Sequence, residues 1–134
     1  MSLDLTPIET SIARLKEALE VYARDPSQAL IRDGLIQRFE FTYEVAHKTL
    51  KRALELTSAS PEQYDTMTFA DLVRSGNEQD LLLGAWPQWR AYRDMRARTS
   101  HSYNEQVALE VVGGIAAFLP EAAHLRDRLR ARGI

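Results

Sequence analysis

Apolar residues recur along this chain at alternating spacings of three and four almost from end to end, the pattern of helices that each bury one stripe. Ile8, Ile12, Leu15, Leu19 and Tyr22 form the first stripe. Thr6-Pro7-Ile8-Glu9 offers a capping threonine, a proline at the first helical position and an early glutamate, so a helix is expected to start there. Asp25-Pro26 should end it. Ser27 is the expected cap of a second helix reaching about Leu56, with Gly34 its only interruption and Ile36, Phe39, Tyr43, Ala46, Leu50 and Leu54 its stripe. Phe41 and Val45 lie on roughly the opposite side. Two explanations stay open, a central helix with neighbours on both sides and a subunit interface.

The Ser-, Thr-, Pro- and Glu-rich stretch 57–65 reads as a surface loop. Thr68, with Asp71 three residues on, predicts a short helix carrying Phe69, Leu72 and Val73 and ending at Ser75-Gly76-Asn77. From Glu78 to Ser100 the pattern is helical again, with a break expected around Trp86 because of Gly84 and Pro87. Asn104 should cap a last helix whose stripe is Ala108, Val111, Ile115, Phe118, Ala122, Leu125 and Leu129. Its register is unchanged across Pro120, which predicts a bent but continuous helix or two collinear ones. Gly113 and Gly114 each cost about 1 kcal/mol relative to alanine, so they imply a close helix crossing or simple tolerance. Arg126, Arg128, Arg130 and Arg132 alternate across faces and read as a solvated tail. No segment shows period-two alternation. The expected fold class is all-α: an antiparallel up-and-down four-helix bundle with an additional short helix, as a single domain over residues 1–134.

Composition narrows the chemistry. The chain has 134 residues and no cysteine, which excludes disulfides, zinc-thiolate sites and thiol nucleophiles and fits a reducing, cytoplasmic setting. No uninterrupted apolar run approaches the roughly 20 residues of a bilayer span, and the first residues lack a signal-like layout, so no membrane association is expected. A net charge of -2 and a pI near 5.9 argue against a general nucleic-acid coat. Charge placement nevertheless creates one local basic site, because Arg90, Arg93, Arg96 and Arg98 fall within nine residues. A Gly-rich phosphate loop, a nucleophile elbow and a helical His-Glu-x-x-His are all absent.

Glu44-x-x-His47 and Glu121-x-x-His124 supply half the ligand set of a di-iron carboxylate bundle. Against this remote alternative, Glu121 follows Pro120, Glu44 projects roughly 120° from its stripe centre, and the first helix has no glutamate on its seam. The opposing expectation is surface glutamates, a half-buried His47, no metal and no cofactor.

Trp89, Tyr92, Arg96, Thr99 and Tyr103 follow one another at three and four, which places a guanidinium on an expected buried aromatic stripe. Arginine is seldom there for packing. Metal-free RNA cleavage needs a group to take the 2′-hydroxyl proton, a charge to stabilise the phosphorane and a proton for the leaving oxygen. Histidine can serve as base or acid, and a guanidinium is a permanent, forked phosphate ligand. On an ideal helix residues five apart diverge by about 140°, so Arg96 and His101 converge only if the helix ends or bends between them or two subunits share the site. The structural alternative has Arg96 bonded to a buried carboxylate or carbonyl and His101 merely finishing a helix.

Arg96-x4-His101-x-Tyr103, late in an α-helical chain, resembles the motif of HEPN domains. More particularly, Gln37-Arg-Phe-Glu-Phe-Thr-Tyr-Glu-Val-Ala-His-Lys-Thr-Leu-Lys51 resembles the second helix of the nucleotidyltransferase substrate-binding proteins. These are the HEPN partners of minimal nucleotidyltransferases in two-gene modules. Trp89 followed by an arginine, and Ser100-His-Ser-Tyr-Asn104, fit the family's later region, and the likeness runs from the first helix to Leu125. The resemblance implies an antiparallel four-helix bundle that forms a homodimer, with Arg96 and His101 near the dimer cleft. It implies one of two roles, a non-catalytic substrate-binding subunit of the nucleotidyltransferase or a metal-independent ribonuclease toxin. In the second role the partner silences the toxin by adding AMP to the motif tyrosine, by position Tyr103. Arg90, Arg93 and Arg98 are then candidate RNA or nucleotide contacts. The family often has a polar residue, typically asparagine, directly after the motif arginine; here it is Ala97, which bears on the ribonuclease role. His47 stands where an aromatic is common in relatives.

Overall fold

The predicted stripes meet in one core. In the computed structural model, which describes residues 3–134, five α-helices follow one another. They are α1 (Thr6–Arg24), α2 (Ala29–Leu56), α3 (Phe69–Glu78), α4 (Trp86–Arg98) and α5 (Glu105–Arg132). No strand occurs among the described residues. α1 and α2 form one antiparallel hairpin and α4 and α5 another, with the short α3 bridging them. The starts of α2 and α5 lie together, joined by Arg32 and Glu105 at 3.3 Å, so these two helices run in the same direction. Every predicted stripe residue of α2 and α5 is buried; on α1, Leu19 and Tyr22 pack only partly and Ala18 completes the seam.

The helix starts separate good cap predictions from poor ones. Thr68 accepts the Asp71 N–H and Asn104 accepts the Val107 N–H, as their spacing predicts. Thr6, by contrast, is the first residue of α1, and its N–H donates to Asp4 Oδ1 at 3.0 Å. Ser27 does not cap α2 either: both its amide and its hydroxyl donate to Asp25 Oδ1, and the helix begins only after Gln28.

Three connections also differ from expectation. The 57–65 loop contains a 3₁₀ turn, Pro61–Asp65, that buries Tyr64. α3 runs past Ser75-Gly76-Asn77 to Glu78, and Gly76 lies within it against Leu50 and Leu82, where a Cβ would come within 2.9 Å of Leu82. Residues 79–85 are not helical; Asp80 takes a positive φ of 59° and Leu81 and Leu82 turn into the core.

α5 is long and apolar enough, by length and composition, to cross a bilayer. Its apolar stripe is instead spent on the bundle core. The helix is continuous through Pro120. Gly114 marks a close crossing with α4, since a Cβ there would stand 2.7 Å from Met95 Sδ, whereas Gly113 faces open space. The arginine tail is tethered more than its alternation predicts. Arg128 binds the backbone and side chain of Asp80 at 3.0 Å each, Arg132 donates to Gln79 O, Arg130 pairs with Glu9, and Arg126 with its neighbour Asp127.

An aromatic cluster seats α4 on α2 and α5. Phe118 meets Phe39 edge-on at 5.4 Å, Tyr92 at 5.0 Å and Trp89 at 5.9 Å, and such pairs add about 0.5–1.5 kcal/mol each beyond area burial. With Trp89 and Tyr92 locked inward, the next turn of α4 carries Arg96 to the rim facing α2.

Candidate functional site

Arg96 lies at that rim, and the apolar stripe ends below it. Its side chain is 31% exposed, so the expected full burial does not occur. The reason is that α2 presents carboxylates at this level: Nε and Nη2 of Arg96 donate to Glu44 Oε1 at 3.1 and 2.5 Å, and Glu40 Oε2 stands 3.6 Å from Nη1. Nη1 also donates to Thr99 Oγ1 at 3.0 Å, and that buried hydroxyl donates back to the Arg96 carbonyl at 2.7 Å. These partners are partly exposed glutamates, not the buried carboxylate of the structural alternative.

The helix ends between Arg96 and His101, as convergence requires. α4 stops at Arg98 and tightens into a 3₁₀ turn over Thr99–His101, closed by Ser102 N–H on Thr99 O and Asn104 N–H on His101 O. His101 is exposed, and its ring stands 6.2 Å from that of Tyr103 at 68°. Tyr103 is 86% exposed. The two rings belong to the short connection between α4 and α5, and the Arg96 guanidinium to the last turn of α4 just before it.

The remaining arginines divide. Arg90 is exposed and has no ion pair among the described residues. Arg93 lies over the Trp86 ring at 5.0 Å, a cation–π contact, and Arg98 pairs with Glu110 of α5. Ala97 is exposed beside them and supplies no polar group.

The two Glu-x-x-His pairs do not come together. Glu44 is taken by Arg96. Glu121, expected at the surface, is 1% exposed and accepts the N–H groups of Leu83 and Gly84 at 2.9 and 2.8 Å. Burial pushes its carboxyl above the usual range, against the pull of those amides, of His124 and of the nearby Trp89 indole, whose buried N–H makes no hydrogen bond of its own. Among the described residues no group of three or more histidines and acids is placed to hold a metal ion. His47 is half-buried, 4.4 Å from the Phe69 ring, and burial together with Lys51 and Lys48 lowers its pKa.

Sequence reasoning missed Glu40 and Glu121 as site-shaping residues. The i, i+4 spacing of Glu40 and Glu44 was a signal that α2 shows one acidic face to its neighbour; nothing local announces that Glu121 meets a turn 37 residues earlier.

An all-α bundle with an Arg-x4-His-x-Tyr turn at the junction of its last two helices defines a HEPN-type protein. The sequence matches the family described as nucleotidyltransferase substrate binding protein like over residues 3–131, and the chain belongs to that family. It is similar to a curated Haemophilus influenzae protein named "Probable ribonuclease HepT", 36% identical over 112 residues, which cover 81% of this chain and 76% of that one. It also resembles a solved Haemophilus influenzae structure described as the fold of a substrate binding domain of a nucleotidyltransferase. That likeness has a TM-score of 0.88 and 30% identity, covering 95% of this chain and 99% of the other.

Proposed function

We propose that this chain is the partner of a minimal nucleotidyltransferase and is itself a metal-independent endoribonuclease, with Arg96 and His101 as its catalytic pair and Tyr103 as its switch. The observation that supports this reading is the helix end between Arg96 and His101: a permanent cation on the last turn of α4 is followed directly by a 3₁₀ turn that bears an imidazole. In the reaction the RNA 2′-oxygen gives up its proton, attacks phosphorus and expels the 5′-oxygen, which is protonated as it leaves. A 2′,3′-cyclic phosphate and a 5′-hydroxyl result. His101 serves as base or acid and Arg96 stabilises the phosphorane. A homodimer would contribute two such turns to one cleft. Arg90, Arg93 and Arg98 would follow the RNA backbone. AMP added to the exposed Tyr103 would set a bulky anion beside His101 and block RNA.

The naming of a relative as a ribonuclease supports this reading. A second reading, a non-catalytic substrate-binding subunit, is favoured by Ala97 and by the glutamates already on Arg96. Incubating RNA with the native chain and with Arg96→Ala and His101→Ala separates the two. Cleavage by the native protein alone supports the enzyme, and no cleavage by any of the three supports the accessory subunit.

A further inference from the structure

Arg96 does not present a free phosphate-binding fork. Three of its nitrogens are occupied, Nε and Nη2 by Glu44 and Nη1 by Thr99, with Glu40 a second carboxylate at 3.6 Å. One cation therefore faces two anions, and the immediate surroundings of the guanidinium are net negative. Glu40 and Glu44 sit one turn apart on α2, next to Phe39 and Tyr43, whose burial fixes the rotation of that helix. All three charged side chains remain partly open to solvent, at 31% for Arg96, 30% for Glu40 and 47% for Glu44. A phosphodiester can reach this arginine only by competing with a carboxylate already in place.

We propose that Glu44, seconded by Glu40, is a displaceable counter-ion that holds the Arg96 guanidinium in the resting chain and sets how readily an RNA phosphodiester can take it. This rests on the reading of Arg96 as a phosphate ligand. Displacement is within reach because a solvent-exposed ion pair is worth no more than about fivefold in an equilibrium. Thr99 makes it productive. Its buried hydroxyl keeps Nη1 and the Arg96 carbonyl in register when Glu44 swings away, so the freed edge of the guanidinium stays at the turn that bears His101.

The counter-ion role has a signature that a merely structural role lacks. The ions released on binding are the cations condensed on the RNA, and an arginine whose charge is shared with Glu44 neutralises a phosphate only in part and releases fewer of them. Freed from Glu44, it should add about 0.7 to the steepness of log K against log salt for single-stranded RNA. The test measures the affinity of an uncleavable 2′-O-methyl oligoribonucleotide across a salt series for the native chain, Glu44→Gln, Arg96→Ala and the double variant. Cleavage of unmodified RNA by the native chain and Arg96→Ala is followed in parallel. The proposal expects Glu44→Gln to bind about three- to fivefold tighter with the steeper salt slope, and both gains to vanish without Arg96. Binding by Glu44→Gln no tighter than native, or a gain that persists in the double variant, overturns the counter-ion role while leaving the ribonuclease reading in place. Native-like binding and cleavage by Arg96→Ala overturns the phosphate reading and the counter-ion with it.

Discussion

The Glu121 carboxylate of α5 accepts the Gly84 N–H at 2.8 Å, and a Cβ on Gly84 would stand 2.6 Å from that same oxygen. The start of α4, and with it the position of Arg96, thus depends on one buried acid and one glycine. Gly84→Ala should destabilise the fold by about 1–3 kcal/mol, because it pushes the acid off its amides. Glu121→Ala should cost at least as much, since two amides lose their acceptor at about 1–3 kcal/mol each. Urea denaturation of both variants checks this; native-like midpoints would count against the latch. Because the folded carboxyl pKa is raised, the folded state binds this proton more tightly than the unfolded chain. The contribution is therefore fully present below 4.5 and declines as pH rises through the folded value. Glu121→Gln should flatten that part of the stability profile.

The fold was legible where burial alone decides it. The α5 stripe from Ala108 to Leu129 is correct at every position, because one face of a long helix must go inward whatever its neighbours are. Local caps were legible when the side chain and amide lie three apart on the same turn, as at Thr68 and Asn104. They failed at Thr6, which is already helical while the Glu9 amide bonds to Leu5 O, and at Ser27, whose hydroxyl donates to Asp25 instead of accepting an amide of α2. The motif of Arg96, His101 and Tyr103 was legible from spacing and resemblance, and a helix end does fall between its arginine and its histidine. Its acidic partners were not, because Glu40 and Glu44 reach Arg96 only through the tertiary placement of α4 against α2.

His47 should make the protein acid-sensitive. Its imidazole packs against Phe69 and Tyr43, and Lys48 and Lys51 add to the cost of charging it. A folded pKa below 6.5 means the unfolded chain takes up this proton first as pH falls. The contribution is therefore present above 6.5 and is lost through the folded value. His47→Phe should leave the thermal midpoint at pH 8 nearly unchanged and raise it at pH 5. An equal shift at both pH values would remove His47 as the cause.

The adjacent glycines of α5 should behave differently. Gly113 has open space where a Cβ would go, so Gly113→Ala should stabilise by about 0.5–1 kcal/mol through helix propensity alone. Gly114→Ala should gain less, because the Met95 thioether must move aside to admit the methyl. Gly114→Leu should instead destabilise, by about 1–3 kcal/mol, by forcing α4 and α5 apart. Denaturation midpoints of the three variants rank the effect.

Tyr103 is open to modification. Coexpression with a minimal nucleotidyltransferase should raise the intact mass by whole AMP units in the native chain and not in Tyr103→Phe. Modification that persists in the phenylalanine variant would place the acceptor elsewhere.

The central claim is that Arg96 and His101 cleave RNA without a metal, and product chemistry tests it most directly. RNA incubated with the native chain in excess chelator should be cut to fragments ending in 2′,3′-cyclic phosphate, at a rate that falls by about 10²-fold or more when His101 becomes alanine. Arg96→Ala should fall comparably. Equal cleavage by all three proteins, or cutting that stops when chelator is added, would contradict the account.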